Sequence, residues 1–468
     1  MQNPNDKYHI DMCRGPLFGE IVLFSVPLFL SGILQLLFSA ADLIVIGHFA
    51  PPDAMAAVGA TTFITALIVN VFIGLSIGTN VLVANSIGAD NRKNIRRATH
   101  TAIAVSLIGG VVLGIVGLLV SKPMLELTET PPEILHKSCV YLWIYCCGIP
   151  FILLYNFGSA ILRAAGDTRR PLYYLVLAGI VNVVLNLVFV ILCRMDVAGV
   201  GLATVISQCL SAFLVVRCLT REEGDIRLDL RALRITPNRL WQILEIGIPS
   251  GVQGLAFSLS NVIIQAAING FGETVISGNT AASNIEGFIY VACNAFYQAN
   301  VAFTSQNYGA GKLERLRPIA ICSAACSASV AAVGGLVGYF FGPELLHIYS
   351  NSDTVVAAGM VRITILFIPY VLCGLMDVIV GSIRGIGYSV LPMIVTLLGA
   401  CAFRMVWIAT IFRVPQYHTP EVIYWSYPVS WGLTFLAHLV CYFIVTRRLY
   451  RREGMLQKHH HLTVRHPE

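Results

Sequence analysis

The stretch Arg163-Ala-Ala-Gly-Asp-Thr-Arg-Arg-Pro171 has a counterpart in the second half of the chain, Arg384-Gly-Ile-Gly-Tyr-Ser-Val-Leu-Pro392. Both stretches run from an arginine to a proline at the same spacing. Two more pairs of residues are separated by nearly the same distance along the chain, namely Gly88 with Gly309 and Pro27 with Pro249. Three pairs of matching positions separated by nearly the same number of residues predict that the chain consists of two homologous halves.

The composition decides which solvent surrounds these halves. Of the 468 residues, 56% are hydrophobic and only 12% are charged, whereas soluble domains carry about 25% charged residues. So little charge cannot cover the surface of a soluble enzyme, and so many apolar residues exclude a disordered chain. The 13 cysteines are scattered, mostly in apolar runs and without a C-x-x-C pair, which excludes a disulfide scaffold. The remaining class is a membrane protein.

Apolar runs long enough to cross a bilayer as helices, about 20 residues each, recur through the whole chain. Turn or charge signals bound twelve of them, so we predict an all-α polytopic membrane protein with twelve transmembrane helices. The predicted spans are 18–47, 54–84, 98–120, 138–161, 171–193, 198–218, 241–269, 277–306, 318–342, 354–383, 388–413 and 421–446.

The basic residues test the number of spans, because cytoplasmic loops are enriched in Lys and Arg. With twelve spans, 25 of the 31 basic residues fall on the side of both termini and four fall on the other side. The remaining two, Arg362 and Arg404, lie inside spans. One missing or extra span would destroy this asymmetry, so we expect both termini to be cytoplasmic in a multi-pass protein of the cell (inner) membrane.

The repeat and the spans together predict the domain organisation. Residues 1–218 would form an N-terminal six-helix bundle, 219–240 a basic cytoplasmic linker, 241–449 a C-terminal six-helix bundle, and 450–468 a polar cytoplasmic tail. Because six spans return the chain to its starting side, the halves are parallel repeats related by a pseudo-twofold axis along the membrane normal. Two such halves suit a transporter, since one can rock against the other.

Polar residues inside spans are costly and mark functional sites. Asp42 in span one, Asn186 in span five and Thr204 in span six share one depth, about 9–12 Å below the outer surface by helical rise. Asn182 lies one turn deeper on the face of Asn186, and Gln35 lies two turns below Asp42. One carboxylate, two amides and a hydroxyl could coordinate Na⁺, and the buried carboxylate alone could carry a proton. The alternatives are structural hydrogen bonding by Asp42 and interhelical contacts by the two amides.

The second half carries its own intramembrane charges, Glu286 in span eight and Asp377 in span ten. Asp377 precedes Arg384 by seven residues, as Asn156 precedes Arg163, so the repeat places an acid where the first half has an amide. We predict a substrate site or second ion site at Gln35, Asn156, Glu286 and Asp377, with pairing of the acids to a basic residue such as Arg384 as the alternative. Arg362 and Arg404 are interpreted as orienting or pairing groups.

Pro27 lies inside span one, four turns before Asp42. A proline within a helix removes one backbone hydrogen bond and permits a kink. Pro27 is therefore a candidate hinge, and plain bending without a functional role is the alternative.

Motifs spread over nearly the whole chain resemble those of the MATE (multidrug and toxic compound extrusion) transporters of the prokaryotic type. They are Pro27 with Gln35 and Asp42, Ala57-Val58-Gly59, Gly199-Val-Gly201-Leu-Ala-Thr204, Gly247-Ile-Pro249, Gln306-Asn307-Tyr308-Gly309-Ala310-Gly311, and Arg384-Gly-Ile-Gly387 with Pro392. The resemblance implies two six-helix bundles in a V shape and export of organic cations in exchange for Na⁺ or H⁺.

The resemblance also implies an ion site at Asp42, Asn182, Asn186 and Thr204. Related members often carry aspartate where this chain has Asn186, so a neutral amide weakens the charge of the site here. Another branch carries an acid in span seven, but residues 250–269 contain none, and that second site is not transferred. Asp377 lies in a region of span ten where some members have a functional acid.

Other functions remain as alternatives at this point. A lipid-linked oligosaccharide flippase of the same superfamily would need several cations to bind a pyrophosphate, and only Arg362 and Arg404 qualify. A major-facilitator carrier would need a loop motif that Gly88-Ala-Asp90-Asn-Arg92 matches poorly, and a membrane enzyme would need clustered His, Asp or Glu. We therefore expect a monomeric antiporter whose partners are small organic cations and the lipid bilayer. We expect no nucleic-acid partner and no cofactor apart from a coupling ion.

Overall fold

The structure, a computed structural model, describes residues 8–128 and 130–463, with the side chains of Pro52, Phe63 and 452–463 left undescribed. Within these ranges the chain is helical and contains no strand. The predicted all-α architecture is therefore confirmed. The predicted polar tail 450–468 lies partly outside the described residues, and the last helix continues through its beginning to Thr463.

Six long helices make up the first half of the chain. They are α1 (Leu17–Phe49), α2 (Pro52–Gly88), α3 (Arg92–Leu127), α4 (Pro132–Ala164), α5 (Arg169–Leu187) and α6 (Asp196–Thr220). A π-helical turn, Val188–Leu192, extends α5. Each of these helices covers one of the first six predicted spans.

The second half follows the same order with more interruptions. Its helices are α7 (Pro237–Asn269), α8 (Glu273–Gly309), α9 (Leu313–Phe340), the short α10 (Gly342–His347), α11 (Asp353–Leu366), α12 (Tyr370–Gly385), α13 (Val390–Thr396), α14 (Phe403–Ala409) and α15 (Pro420–Thr463). A π-helical segment, Leu397–Ala402, joins α13 to α14. Spans seven to twelve thus correspond to α7, α8, α9, α11 with α12, α13 with α14, and α15.

Length and composition alone identify ten described segments that can cross a membrane, and α11 with α12 makes an eleventh. The remaining predicted span is α8, whose 37 residues are long enough but include many polar side chains. Large apolar side chains are exposed along the helices, among them Leu119, Leu192, Val333 and Leu436. Such a surface is unfavourable in water and suits contact with lipid tails.

Span ten differs from the prediction of one continuous helix over 354–383. It is broken between Leu366 and Tyr370, and its two parts are bent by 50°. The break contains Pro369, which has no backbone N–H to donate to the preceding turn. Pro150, at nearly the equivalent repeat position, lies inside the unbroken α4, so proline alone does not determine where a span breaks.

The described contacts divide the chain into two compact units, Met1–Ser258 and Leu259–Glu468. In the first unit α4 is central and packs on α2, α3 and α6, while α1 packs on α5. In the second unit α8 and α12 are central, and α12 also packs on α9 and α15. The boundary lies within α7, whereas the sequence places a linker at 219–240.

The N-terminal segment is attached to the first unit by a buried cluster of charges around Arg170. His9 is hydrogen-bonded through Nδ1 to the carbonyl of Ala165 at 2.8 Å and through Nε2 to Glu222 Oε1 at 3.2 Å. Arg170 donates to Glu222 Oε2 at 2.7 Å and also pairs with Asp167. Asp167 and Glu222 are buried. Three segments distant in sequence are thereby held together.

This cluster predicts a pH dependence of stability. Burial lowers the pKa of His9, but its hydrogen bonds to Glu222 and Ala165 and the charge of Glu222 outweigh burial and raise the pKa above 6.5. A group whose pKa is higher in the folded than in the unfolded protein stabilises the fold. This contribution is complete below the unfolded-state pKa and is lost as the pH rises through the folded-state pKa. We expect the unfolding temperature in detergent micelles to fall by a few degrees as the pH rises above 6.5.

The His9→Gln variant should lose most of this dependence in a thermal melt followed by tryptophan fluorescence. His48→Gln is the matched control, since His48 is exposed and bonds only to the backbone of its own helix. An identical pH profile for wild type and His9→Gln would contradict the assignment.

Candidate cation site

Four polar side chains from three helices form one chain of hydrogen bonds in the first unit. Asn186 Nδ2 donates to Asp42 Oδ1 at 2.5 Å and to Asn182 Oδ1 at 3.2 Å. Asn182 Nδ2 in turn donates to Thr204 Oγ1 at 3.4 Å. These are the four residues that the sequence places at neighbouring depths, and α1, α5 and α6 bring them into contact.

Helical spacing explains why α5 presents both amides to the same side. Asn182 and Asn186 are four residues apart and Gly179 precedes Asn182 by three, so all three share one face of the helix. The π-helical turn Val188–Leu192 begins two residues after Asn186. π-Helical turns re-aim neighbouring side chains and are frequent at functional sites.

Contact between α1 and α5 depends on the absence of a side chain at Gly179. A Cβ built on Gly179 would overlap the Cζ atom of Phe38, so the phenyl ring occupies the space that any other residue would fill. Phe38 lies one turn before Asp42 on the same face of α1. The fit of Phe38 on Gly179 thus sets the position of Asp42 beside Asn186.

The site is partly buried and contains one oxygen acceptor without a hydrogen-bond donor in the described chain. Asn182 and Asn186 are buried, while Asp42 and Thr204 are partly exposed. Asn186 Oδ1 is buried and has no hydrogen-bond donor within the described chain. Buried polar atoms are nearly always paired, so this unpaired acceptor oxygen marks a place for a cation or a hydrogen-bond donor.

Replacing Gly179 with alanine is expected to disturb the site without touching a polar group. The added methyl forces the Phe38 ring to move, and overpacking of this kind costs about 1–3 kcal/mol. We expect roughly tenfold weaker binding of the coupling ion, measured as the ion concentration for half-maximal export in proteoliposomes. The second change Phe38→Leu should restore much of the loss. Equal ion affinity in wild type and Gly179→Ala would contradict this role.

The other first-half candidates do not join this chain of hydrogen bonds. Gln35 is exposed, and Asn156 donates to the carbonyl of Ile152 in its own helix at 2.8 Å. Pro27 is buried inside α1, which continues unbroken past it, and the Ser31 hydroxyl donates to the Pro27 carbonyl. The roles predicted for Gln35 and Asn156 at a substrate site, and for Pro27 as a hinge, stay predictions.

The acids of the second unit occupy different environments. Glu286 Oε2 accepts from Arg362 Nη2 at 2.6 Å and from Arg362 Nε at 3.1 Å, so Glu286 is paired. Arg362 also donates to Asn279 Oδ1 at 2.7 Å. Asp377 forms no ion pair or hydrogen bond within the described residues, and Arg384, the partner considered from sequence, donates instead to the Tyr297 hydroxyl. The predicted substrate site or second ion site at Glu286 and Asp377 stays a prediction.

Sequence reasoning did not single out Phe38 and Gly179, and it gave Arg362 and Arg404 the same role. The structure separates the two arginines, because Arg362 binds a carboxylate and Arg404 does not. Spacing offered one signal for Gly179, since it lies on the helix face of the two asparagines. Among the described residues, no group of three or more His, Cys, Asp or Glu side chains could hold a metal, so a cation at Asp42 would rely on amide and hydroxyl oxygens.

A comparison with known protein families detects both halves of the chain. The MatE family model matches residues 27–188 and again residues 249–409, so its two matches begin at the paired prolines Pro27 and Pro249. The probable multidrug resistance protein YoeA of Bacillus subtilis is 23% identical over 90% of this chain and 92% of its own length. The probable multidrug resistance protein YpnP of the same organism is 27% identical over 84% of this chain and 88% of its own length.

A solved structure shows the same fold. It is the outward-facing conformation of a multidrug resistance MATE family transporter of the MOP superfamily, with a TM-score of 0.88 and 21% identity over 95% of this chain and 99% of that one. This likeness confirms the predicted fold class of twelve membrane helices in two six-helix bundles.

Proposed function

Because the chain belongs to the MatE family of membrane transporters, we propose that it is a secondary active antiporter that exports organic cations and drugs in exchange for Na⁺ or H⁺. The observation that carries the proposal is the chain of hydrogen bonds from Asp42 through Asn186 and Asn182 to Thr204. A partly exposed carboxylate linked to amides and a hydroxyl supports an exchangeable cation site.

Alternating access gives this site its role. An ion that enters from outside binds Asp42 and neutralises its charge, which removes the attraction for a cationic substrate. Since a ligand shifts a conformational equilibrium only through its different affinity for the two states, the ion must bind more tightly to the state that releases the substrate. The substrate enters from the cytoplasm or the inner leaflet, and both termini lie in the cytoplasm, as the distribution of basic residues indicates.

The donor set supports Na⁺ more than H⁺ as the coupling ion. A proton needs one carboxylate oxygen, whereas Na⁺ needs several oxygens, and the amide of Asn186, whose nitrogen contacts Asp42, also carries a buried oxygen without a hydrogen-bond donor in the described chain. The Thr204 hydroxyl supplies a further oxygen at the end of the same chain of hydrogen bonds.

Proteoliposomes test the proposal with the fluorescent cation rhodamine 123. We expect an imposed Na⁺ gradient to drive dye movement against its own gradient, and dye addition to stimulate ²²Na⁺ flux. Dye movement driven by a pH gradient alone would establish H⁺ as the coupling ion. No movement under either gradient, with correctly folded protein, would reject ion-coupled export.

A further inference from the structure

Arg404 is buried in the second unit, and no carboxylate of the described residues pairs with it. Its side chain is only 2% exposed, and Nε donates to the hydroxyl of Ser430 at 2.8 Å. Nη2 is buried and has no hydrogen-bond acceptor in the described part of the chain. An unpaired buried charge is unfavourable, so this guanidinium is prepared to bind an acceptor that the chain itself does not supply.

The charge balance around Arg404 leaves one positive charge in excess. The Tyr427 ring lies between two guanidinium groups, with its centroid 4.1 Å from Arg404 Cζ and 5.6 Å from Arg362 Cζ. Glu286 is the one carboxylate in the described residues that pairs with either arginine, and both of its contacts go to Arg362. Aromatic faces attract a cation, but they do not neutralise it.

The repeat places this cluster where the first half has its cation site. The offset that relates Pro27 to Pro249 also relates Asn182 to Arg404, and it places the counterpart of Thr204 next to Tyr427. Equivalent regions of the two halves therefore differ in charge, with a carboxylate and amides in the first half and an unpaired guanidinium among aromatic rings in the second.

We propose that Arg404, with the rings of Tyr427 and Trp431, binds the carboxylate of a planar aromatic molecule that the protein exports. A guanidinium presents paired N–H donors that match a carboxylate, and the Trp431 ring, 5.7 Å from Arg404 Cζ, offers an aromatic face. The Glu286 side chain is 14% exposed, twice the 7% of Arg362. This proposal rests on the export function and extends the substrates from organic cations to aromatic zwitterions.

The test uses two dyes that differ by one ester. Rhodamine 110 has a free carboxylate, and rhodamine 123 is its methyl ester. Binding to purified full-length protein is measured by fluorescence anisotropy, and export is measured in proteoliposomes of phosphatidylcholine, which supply no anionic lipid. We expect Arg404→Met to weaken binding of rhodamine 110 at least tenfold and binding of rhodamine 123 less than twofold. Arg404→Gln, which keeps a polar side chain, should give the same ratio if the methionine variant does not fold.

The outcomes separate this site from the export function. Failure of wild type to export rhodamine 123 would reject the export function, while the binding ratio would still report on the carboxylate site. Equal losses for both dyes in the two Arg404 variants, or no loss for either, would overturn the carboxylate site. Benzoate and short-chain phosphatidic acid are also tested as competitors. If phosphatidic acid displaces both dyes and benzoate displaces neither, Arg404 binds a lipid phosphate, and the carboxylate site is overturned.

Discussion

Replacing Asp42 with asparagine is expected to lower the affinity for the coupling ion about 100-fold and to abolish ion-driven export at physiological ion concentrations. Two unit charges about 4 Å apart at an effective dielectric constant near 20 attract by about 4 kcal/mol. Desolvation offsets part of this attraction, and the remainder corresponds to roughly two orders of magnitude in affinity. The fold should persist, because an asparagine can still accept the hydrogen bond from Asn186.

Two variants make this prediction specific. Asp90→Asn removes a carboxylate from the exposed turn between α2 and α3, and asparagine tolerates the positive φ of 48° found there. This variant should export like wild type. The double variant Asp42→Asn with Asn186→Asp returns the carboxylate to the adjacent position and should recover part of the ion affinity. Undiminished coupling of dye and ion fluxes in Asp42→Asn would remove Asp42 from the mechanism.

Replacing Arg362 with methionine is expected to destabilise the second unit by about 3–5 kcal/mol, the usual effect of removing one partner of a buried ion pair. Arg362 is 6% exposed, and its loss leaves Glu286 as an uncompensated, largely buried charge. Chemical denaturation in detergent micelles, followed by circular dichroism, measures the change in the free energy of unfolding. Adding Glu286→Gln to Arg362→Met should recover much of the loss, because the second change removes the unpaired charge.

An exposed ion pair provides the control for this second prediction. Lys122 lies 3.8 Å from Glu126, with side chains 62% and 54% exposed, and such surface pairs contribute about 0–1 kcal/mol. Lys122→Met should therefore change stability little. If Arg362→Met costs no more than Lys122→Met, the Glu286–Arg362 pair does not stabilise the bundle.

Most of the architecture could be predicted because it depends on properties that each segment carries locally. A run of apolar residues becomes a membrane helix whatever lies beside it, since backbone groups in lipid must be satisfied within the segment. The break at Pro369 could not be predicted in this way. Pro150 occupies nearly the same repeat position in an unbroken helix, so the packing around each proline decides whether the helix breaks.

The candidate site residues could be predicted from sequence, but their partners could not. Polar side chains are costly and therefore rare in membrane spans, and the helical rise gives the depth of each one. These two arguments were sufficient to identify Asp42, Asn182, Asn186 and Thr204. Glu286 and Asp377 satisfied the same criterion, yet the structure pairs only Glu286 with a cation. The partner of an intramembrane charge depends on which helix lies next to it, and span polarity does not contain that information.

By itself, the sequence determined the number of spans, the duplication and a short list of intramembrane polar residues. Each of these follows from the free energy of transferring a segment between water and lipid, or from direct comparison of the two halves. Only the tertiary structure decided that Asn186 contacts Asp42 from a distant helix, that Phe38 fits over Gly179, and that Arg404 lacks the carboxylate that Arg362 has. The physical reason is that these contacts depend on the lateral packing of helices, to which residues far apart in sequence contribute together.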